Sequence, residues 1–230
     1  MSSAACSTNF KKNLALTENR HIIIWYKHIN KCSAHSFVKC YYIIGTNFSQ
    51  SENFQSLYIG GITMGFEKTD ICSLPESFTK MIRDEWALLT ASDGEKINTM
   101  TVSWGASGEL WGKDVAIVFV RPQRYTYEFM EKGDKFTLSF FGGSHKKELA
   151  LCGAKSGRDI DKVSECGFTP VTLNSAPAFE EAQTVIVCKK IAFQDMQPSG
   201  FLSPDIDDCY SAKDYHRVYV GEILSVYKKS

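Results

Sequence analysis

The stretch VRPQRYT (120–126) places two guanidinium groups, Arg121 and Arg124, at the end of the apolar run VAIVFV (115–120), with Glu128 close behind. Pro122 has no backbone N–H, so a strand must end or lie at an edge there. Thr126 is of a helix-capping type, and YTYEFMEKG reads as a helix stopped by Gly133. A strand end, two arginines and a helix N-terminus together make an anion site. Paired donors come from Arg121 and Arg124, and free amides from the positive end of the helix dipole. A phosphate monoester, with three acceptor oxygens, suits such a site. The competing reading pairs both arginines with Glu128 and Glu131 on the surface. This stretch alone leaves the two open.

Two further segments bear on the choice. In NTMTVSWG (98–105), Met100, Val102 and Trp104 share one face of a strand, while Asn98, Thr101 and Ser103 are polar positions in an apolar setting. Buried hydroxyls need partners. A heteroaromatic ring laid along the strand would supply them, or the Thr and Ser side chains face water. CGAKSGRDIDK (152–162) concentrates Lys155, Ser156, Gly157 and Arg158 in a loop followed by Asp159 and Asp161. Gly153 and Gly157 would let the backbone approach a ligand closely. Otherwise this is a solvated loop with balanced charges.

The elements that must carry these segments follow from local pattern. PESFTKMIRD (75–84) reads as a short helix, WALLTAS (86–92) as a strand, and DGEK as a turn with Gly94 at positive φ. INTMTVSWG (97–105) is the hairpin partner. VAIVFV is a core strand, KFTLSFF (135–141) an alternating one, and SHKKELALCG (144–153) a helix closed by Gly153. TVIVCKKIAFQDM (184–196) and RVYVGEILSVY (217–227) complete the strands, with Gly221 at a bulge or close approach. Five or six strands with short helices and no βαβ alternation predict a mainly β fold, an antiparallel barrel with flanking α-helices.

Composition sets the limits. The 230 residues carry 26 Lys+Arg and 26 Asp+Glu, so no global field draws nucleic acid or an anionic membrane, and an anion must be caught locally. No G-x-G-x-x-G, P-loop or G-x-S-x-G motif occurs. The eight cysteines show no C-x-x-C or framework spacing and no signal peptide precedes them, which reads as reduced thiols in a cytoplasmic protein. No apolar stretch reaches the ~20 residues that span a bilayer. Cys32, His35 and Cys40, with evenly spaced His21, His28 and His35, match no known zinc finger and read as coincidence. Residues 1–63 hold six Lys or Arg against two acids, are rich in Ile, Asn, Lys, Phe and Tyr, and lack periodicity. They read as an extension of doubtful structure, a translated upstream segment before a natural start at Met64, with an organelle presequence as the alternative. Residues 64–230 form the functional domain.

NTMTVSWG, VAIVFVRPQRYTYEFMEK, FTLSFF, CGAKSGRDIDKV and DYHRVYVGEI resemble, in order and spacing, the flavin reductase-like family of FMN-binding split barrels, most closely its flavoredoxin-like branch. The resemblance spans about residues 64–227. It implies a six-stranded Greek-key split β-barrel, a homodimer, and FMN near the dimer interface. It also implies site residues. Asn98 to Trp104 would run along the isoalloxazine, with Thr99, Met100, Thr101 and Ser103 contacting ring and ribityl chain. Arg121, Arg124, Tyr125 and Thr126 would hold the phosphate. Ser139, Phe140 and Phe141 would line the pocket, and Lys155 and Ser156 would close over it. His216 falls where relatives have a histidine near the stacked nicotinamide, although Asp214-Tyr215 replaces their Gly-Asp. The implied activity is an NAD(P)H-dependent FMN reductase. The alternative is a flavoredoxin-type electron carrier with tightly bound FMN and a protein redox partner.

Overall fold

The computed structural model describes residues 65–230 and, nearer the N-terminus, only two strands. Those strands, β1 (Lys11–Leu16) and β2 (Ile22–Lys27), pair antiparallel. The chain divides into two compact units, Met1–Ile59 and Gly60–Ser230. The histidine and cysteine spacings at 21–40 and the start at Met64 lie outside the described residues.

The second unit is built on one antiparallel sheet. Its strands are β3 (Phe66–Thr69), β4 (Ala87–Ser92), β5 (Ile97–Val102), β6 (Gly105–Leu110), β7 (Lys113–Val120), β8 (Lys135–Phe140), β11 (Thr184–Asp195) and β12 (Arg217–Lys229). A small separate hairpin pairs β9 (Pro170–Leu173) with β10 (Ala176–Phe179). The spatial order is β5-β4-β8-β11-β12-β7-β6, with β3 added beside β12. The end strands β5 and β6 are separated in sequence only by Ser103 and Trp104. The three Cα steps from Val102 to Gly105 span at most about 11 Å, so the sheet must curl until its ends nearly meet. No ladder joins β5 to β6 among the described residues. The result is a barrel with a split, the mainly β fold with flanking helices that the sequence predicts.

Strand alternation gives the sheet two buried faces. Leu89, Ala91, Met100, Val102, Val118, Phe136, Leu138, Phe140 and Ile186 fill the barrel, joined by Phe129 and Met130 of helix α2 (Tyr125–Lys132). Leu88, Val185 and Val187 point the other way. They pack with Phe141, Leu149, Phe168, Leu173 and Phe179 under helix α3 (Lys146–Ala154) and the β9–β10 hairpin. β4 is therefore buried on both faces and reads as a nearly unbroken apolar run. Its one buried hydroxyl, Thr90, pairs with Thr99 directly across the ladder, Oγ1 to Oγ1 at 3.0 Å.

Several boundaries differ from expectation for local reasons. Residues 75–84 form a single turn, α1 (Phe78–Lys80), capped by Ser77 and continuing as a wider π-type turn, Met81–Glu85. Pro75 lies outside it. Thr126 does not cap α2. Arg124 holds the cap position without a side-chain bond, and Thr126 is buried as the second helical residue. Gly153 lies inside α3 rather than after it. Gly133 ends α2 at an ordinary φ of −79°. What requires glycine there is space, because a Cβ would lie 2.4 Å from Ser92 O.

Gly221 answers to the same cause. It faces Ala116 on one side and Lys190 on the other, beside a bulge in β11. A Cβ there would fall 2.5 Å from Phe136 Cζ and 2.8 Å from Cys188 Cβ. Gly221→Ala overpacks the centre of the barrel and should cost about 1–3 kcal/mol, read as a lower urea midpoint at unchanged m-value.

Candidate functional site

Four pieces of chain meet at the mouth of the barrel: β5, the β7–α2 connection, the end of α3, and the loop leading to helix α4 (Lys162–Cys166). They enclose a cleft of about 250 Å³ lined by Met100, Gln123, Arg124, Tyr125, Thr126, Ala154, Lys155, Ser156 and Lys162. Six of the residues expected at the site are thus brought together: Met100, Arg124, Tyr125, Thr126, Lys155 and Ser156. No carboxylate lines the cleft, while three cationic side chains do. A larger cavity of about 350 Å³ lies elsewhere, between Pro75 and the C-terminal residues. Glu76 and Glu85 line it together with Lys228 and Lys229, so it lacks the unbalanced positive charge of the cleft.

The cleft is held by specific bonds. Arg124 donates to Gly153 O at 2.7 Å, tying the start of α2 to the end of α3. Asn98 donates through Nδ2 to Thr126 Oγ1 at 2.8 Å, so it positions the helix from below. Its Oδ1 sits where a Cβ on Gly157 would be, 2.1 Å away, and only glycine lets the loop settle on β5. Arg158 stacks its guanidinium 4.6 Å from the centre of the Tyr125 ring and pairs with Glu128, fastening the loop to α2. Tyr127 N–H closes on Arg124 O, and the amides of Tyr125 and Thr126 before it present partial positive charge at this end.

Lys162 and Gln123 line the cleft without having been singled out in the sequence. Lys162 is 5% exposed, and its Nζ donates to Thr99 O at 2.9 Å and Cys152 O at 2.8 Å. An ammonium has three donors, so one remains beyond these two carbonyls. Burial lowers its pKa, with a smaller push from Arg124. The available signal was Asp161, whose carboxylate caps α4 through the amides of Val163 and Ser164 and so fixes Lys162 at the first helical position.

Other expected residues lie elsewhere. Arg121 turns from the cleft. Its Nη1 meets both carboxylate oxygens of Asp214 at 2.8 and 2.9 Å, its Nη2 donates to Cys209 O, and it stacks on Tyr210. Neither arginine takes Glu128 or Glu131 as its partner; those acids bind Arg158 and Arg217. The hydroxyls of Thr99 and Thr101 are used internally, Thr99 Oγ1 with Thr90 and Leu89 O, Thr101 Oγ1 with Leu149 O at 2.5 Å. Phe140 is in the barrel core and Phe141 in the outer core, stacked on Phe168. Ser139 is fully buried between Leu88 and Val185 on the sheet, and its Oγ has no hydrogen-bond partner among the described residues. Ser103 is exposed, and Trp104 is 47% exposed with its ring 5.2 Å from that of His216.

His216 is 8% exposed, enclosed by Trp104, Phe119 and Tyr210, with Nδ1 2.9 Å from Tyr210 Oη. Burial first, then the nearby Arg121 guanidinium, lowers its pKa to about 4. The imidazole is neutral at physiological pH, and the structure places it outside the lining of the cleft. Among the described residues no helix is long and apolar enough to cross a membrane.

Known proteins share this architecture. The FMN-binding domain of a flavin reductase-like enzyme from Shewanella baltica superposes with a TM-score of 0.51 at 15% identity, covering 71% of this chain and 77% of that one. An FMN-binding protein from Thermus thermophilus solved with p-hydroxybenzaldehyde gives 0.51 at 19%, covering 77% and 83%. The flavoredoxin of Desulfovibrio vulgaris gives 0.50 at 20%, covering 71% and 76%. No curated protein sequence matches the chain. At these identities the likeness is one of fold. Residues 82–230 match the family model described as the flavin reductase like domain, well over half of the chain, and the protein therefore belongs to the flavin reductase-like family.

Proposed function

We propose that this protein binds FMN and transfers hydride to it from NADH or NADPH. The observation that carries the reading is the cleft itself. Arg124, Lys155, Lys162 and the N-terminus of α2 converge there with no carboxylate in the lining, which is the chemistry of a phosphate monoester site. The residues present fit that group. Arg124 is already oriented by Gly153 O and keeps further N–H donors on a five-donor fork. Lys155 and Ser156 stand at the rim on the loop that Arg158 fastens down. Lys162 supplies a buried positive charge beside Met100, and an anion in the cleft would reverse the push that burial exerts on its pKa. Bound flavin supplies hydride acceptance and onward electron transfer, which the side chains alone cannot. The protein's part is to grip the phosphate and leave a ring face open to the nicotinamide. It would also offset charge that develops on the ring.

The reading includes a homodimer and a cytoplasmic location. Residues 64–230 are proposed as the working domain and 1–63 as an extension to it. The flavoredoxin-type carrier differs only in the donor. It would hold the same FMN and exchange electrons with a protein. One measurement separates them. The purified protein, reconstituted with FMN and freed of excess, is mixed with NADH or NADPH without oxygen while absorbance near the flavin band is followed. The expected result is bleaching within seconds with one of the two nucleotides. A yellow protein inert to both would transfer the assignment to the carrier, and a protein that takes up no FMN would end the flavin reading.

A further inference from the structure

Cys152 and Cys166 bring their sulfur atoms to 3.6 Å in the second unit. Cys152 is fully buried on α3, and Cys166, partly exposed, is the last residue of α4, followed by Gly167 in the left-handed conformation. The chain between them supplies Ala154, Lys155, Ser156 and Lys162 to the cleft. Lys162 also ties this segment to Cys152 directly, through Cys152 O. We propose that Cys152 and Cys166 are a reversible dithiol–disulfide pair that cross-links α3 to the end of α4 and so tethers the cleft segment at both ends.

The sulfurs need to close by roughly 1.5 Å to reach disulfide length. Cys166, partly exposed at the terminus of a five-residue helix, is the member placed to make up the distance. The reaction is thiol–disulfide exchange with a small-molecule disulfide. Cys166, the accessible thiol, loses its proton and its sulfur attacks one sulfur of the oxidant, forming a mixed disulfide and releasing one thiol. Cys152 then loses its proton and attacks the Cys166 sulfur, forming the internal bond and releasing the second thiol. Two electrons and two protons pass from the protein to the small disulfide. Burial holds both thiols above their ordinary pKa, Cys152 at about 12, so exchange is slower here than at an exposed thiol. The exposed Cys72 and Cys209 serve as internal references.

The test uses the full chain without flavin, incubated in glutathione buffers from fully reduced to fully oxidised, then acid-quenched, alkylated, digested and mapped by mass. The expected product is a peptide pair joined through Cys152 and Cys166, lighter by two hydrogens, that disappears on return to reducing buffer. Closing this short loop should also raise Tm by about 5–10 °C. Two outcomes would overturn the proposal. One is a glutathione adduct that persists on Cys166 with Cys152 free. The other is both thiols remaining free after Cys72 and Cys209 have reacted. A cross-linked form that melts below the reduced one would overturn the claim that the fold is set for this bond.

Discussion

Arg124→Ala should weaken FMN binding by about 10- to 100-fold while riboflavin, which lacks the phosphate, binds within about twofold of the wild type. A hydrogen bond to a charged group contributes about 1.5–3 kcal/mol, and 1.4 kcal/mol is a factor of ten. Arg124 lines the cleft and is already aimed there by its 2.7 Å bond to Gly153 O, so little ordering is needed on binding. Arg121→Ala is the control. Its guanidinium is committed to both oxygens of Asp214 and to Cys209 O, so its loss should change FMN affinity less than about threefold and act instead on local stability, by leaving Asp214 with Gln123 Nε2 but no ion partner. Titration by flavin fluorescence quenching measures each of these affinities. Equal losses for FMN and riboflavin in Arg124→Ala would reassign that arginine to bracing α3, and a larger loss for Arg121→Ala would move the phosphate site.

That pair also marks where the sequence stopped being informative. VRPQRYT presents two arginines three residues apart, alike in type and setting. Their fates divide because Asp214, 93 positions away, arrives on the segment before β12 and takes one of them. Local pattern carries no trace of that approach. The strands tell the opposite story. VAIVFV, KFTLSFF and TVIVCKKIAFQDM announced themselves because the sheet is buried on both faces and its central strands are dense in β-branched and aromatic residues. GASGEL did not, since β6 ends the sheet, has no buried residue and lacks that signal. The β9–β10 hairpin escaped for a different reason: Leu173, Ala176, Ala178 and Phe179 are buried, but each strand is only four residues long and carries a proline.

The candidate site shows the same division. Cationic and small residues in CGAKSGRDIDK were legible as a loop that could approach a ligand. Which of its charges would be buried was not. Lys162 looks in sequence like one more solvated cation opening an acid-capped helix. Its burial comes from α4 settling against β5, where Thr99 O and Cys152 O replace water around the ammonium. Arg158, the more obvious anion ligand by type, is spent on Glu128 and the Tyr125 ring instead. Tertiary partners decide which cations remain for the cleft: the carboxylates of Asp214 and Glu128 take Arg121 and Arg158, while backbone carbonyls of α3 and β5 seat Arg124 and Lys162.

His216 should make the fold acid-sensitive over the range in which an exposed histidine would titrate harmlessly. In the fold its pKa is about 4, lowered by burial and by Arg121, whereas in the unfolded chain it is about 6.5. Between these values the unfolded chain binds a proton that the native state refuses, so stability rises with pH there and is lost as pH falls. The contribution is fully present above about pH 6.5 and should fall by about 2–3 kcal/mol by pH 4.5. His216→Asn, which keeps a polar atom near Tyr210 Oη but cannot titrate, should lose much less over the same interval. Urea unfolding of both proteins between pH 7 and 4.5 measures the difference. Parallel decline in the two would show that the imidazole ionises as readily in the fold as outside it. The same geometry bears on catalysis. A group neutral throughout pH 5–8, with Nδ1 engaged by Tyr210 and its ring against Trp104, does not change its protonation in that range. The rate of flavin reduction should accordingly show no inflection near pH 6.5, and an inflection there that disappears in His216→Asn would restore an acid–base role to this residue.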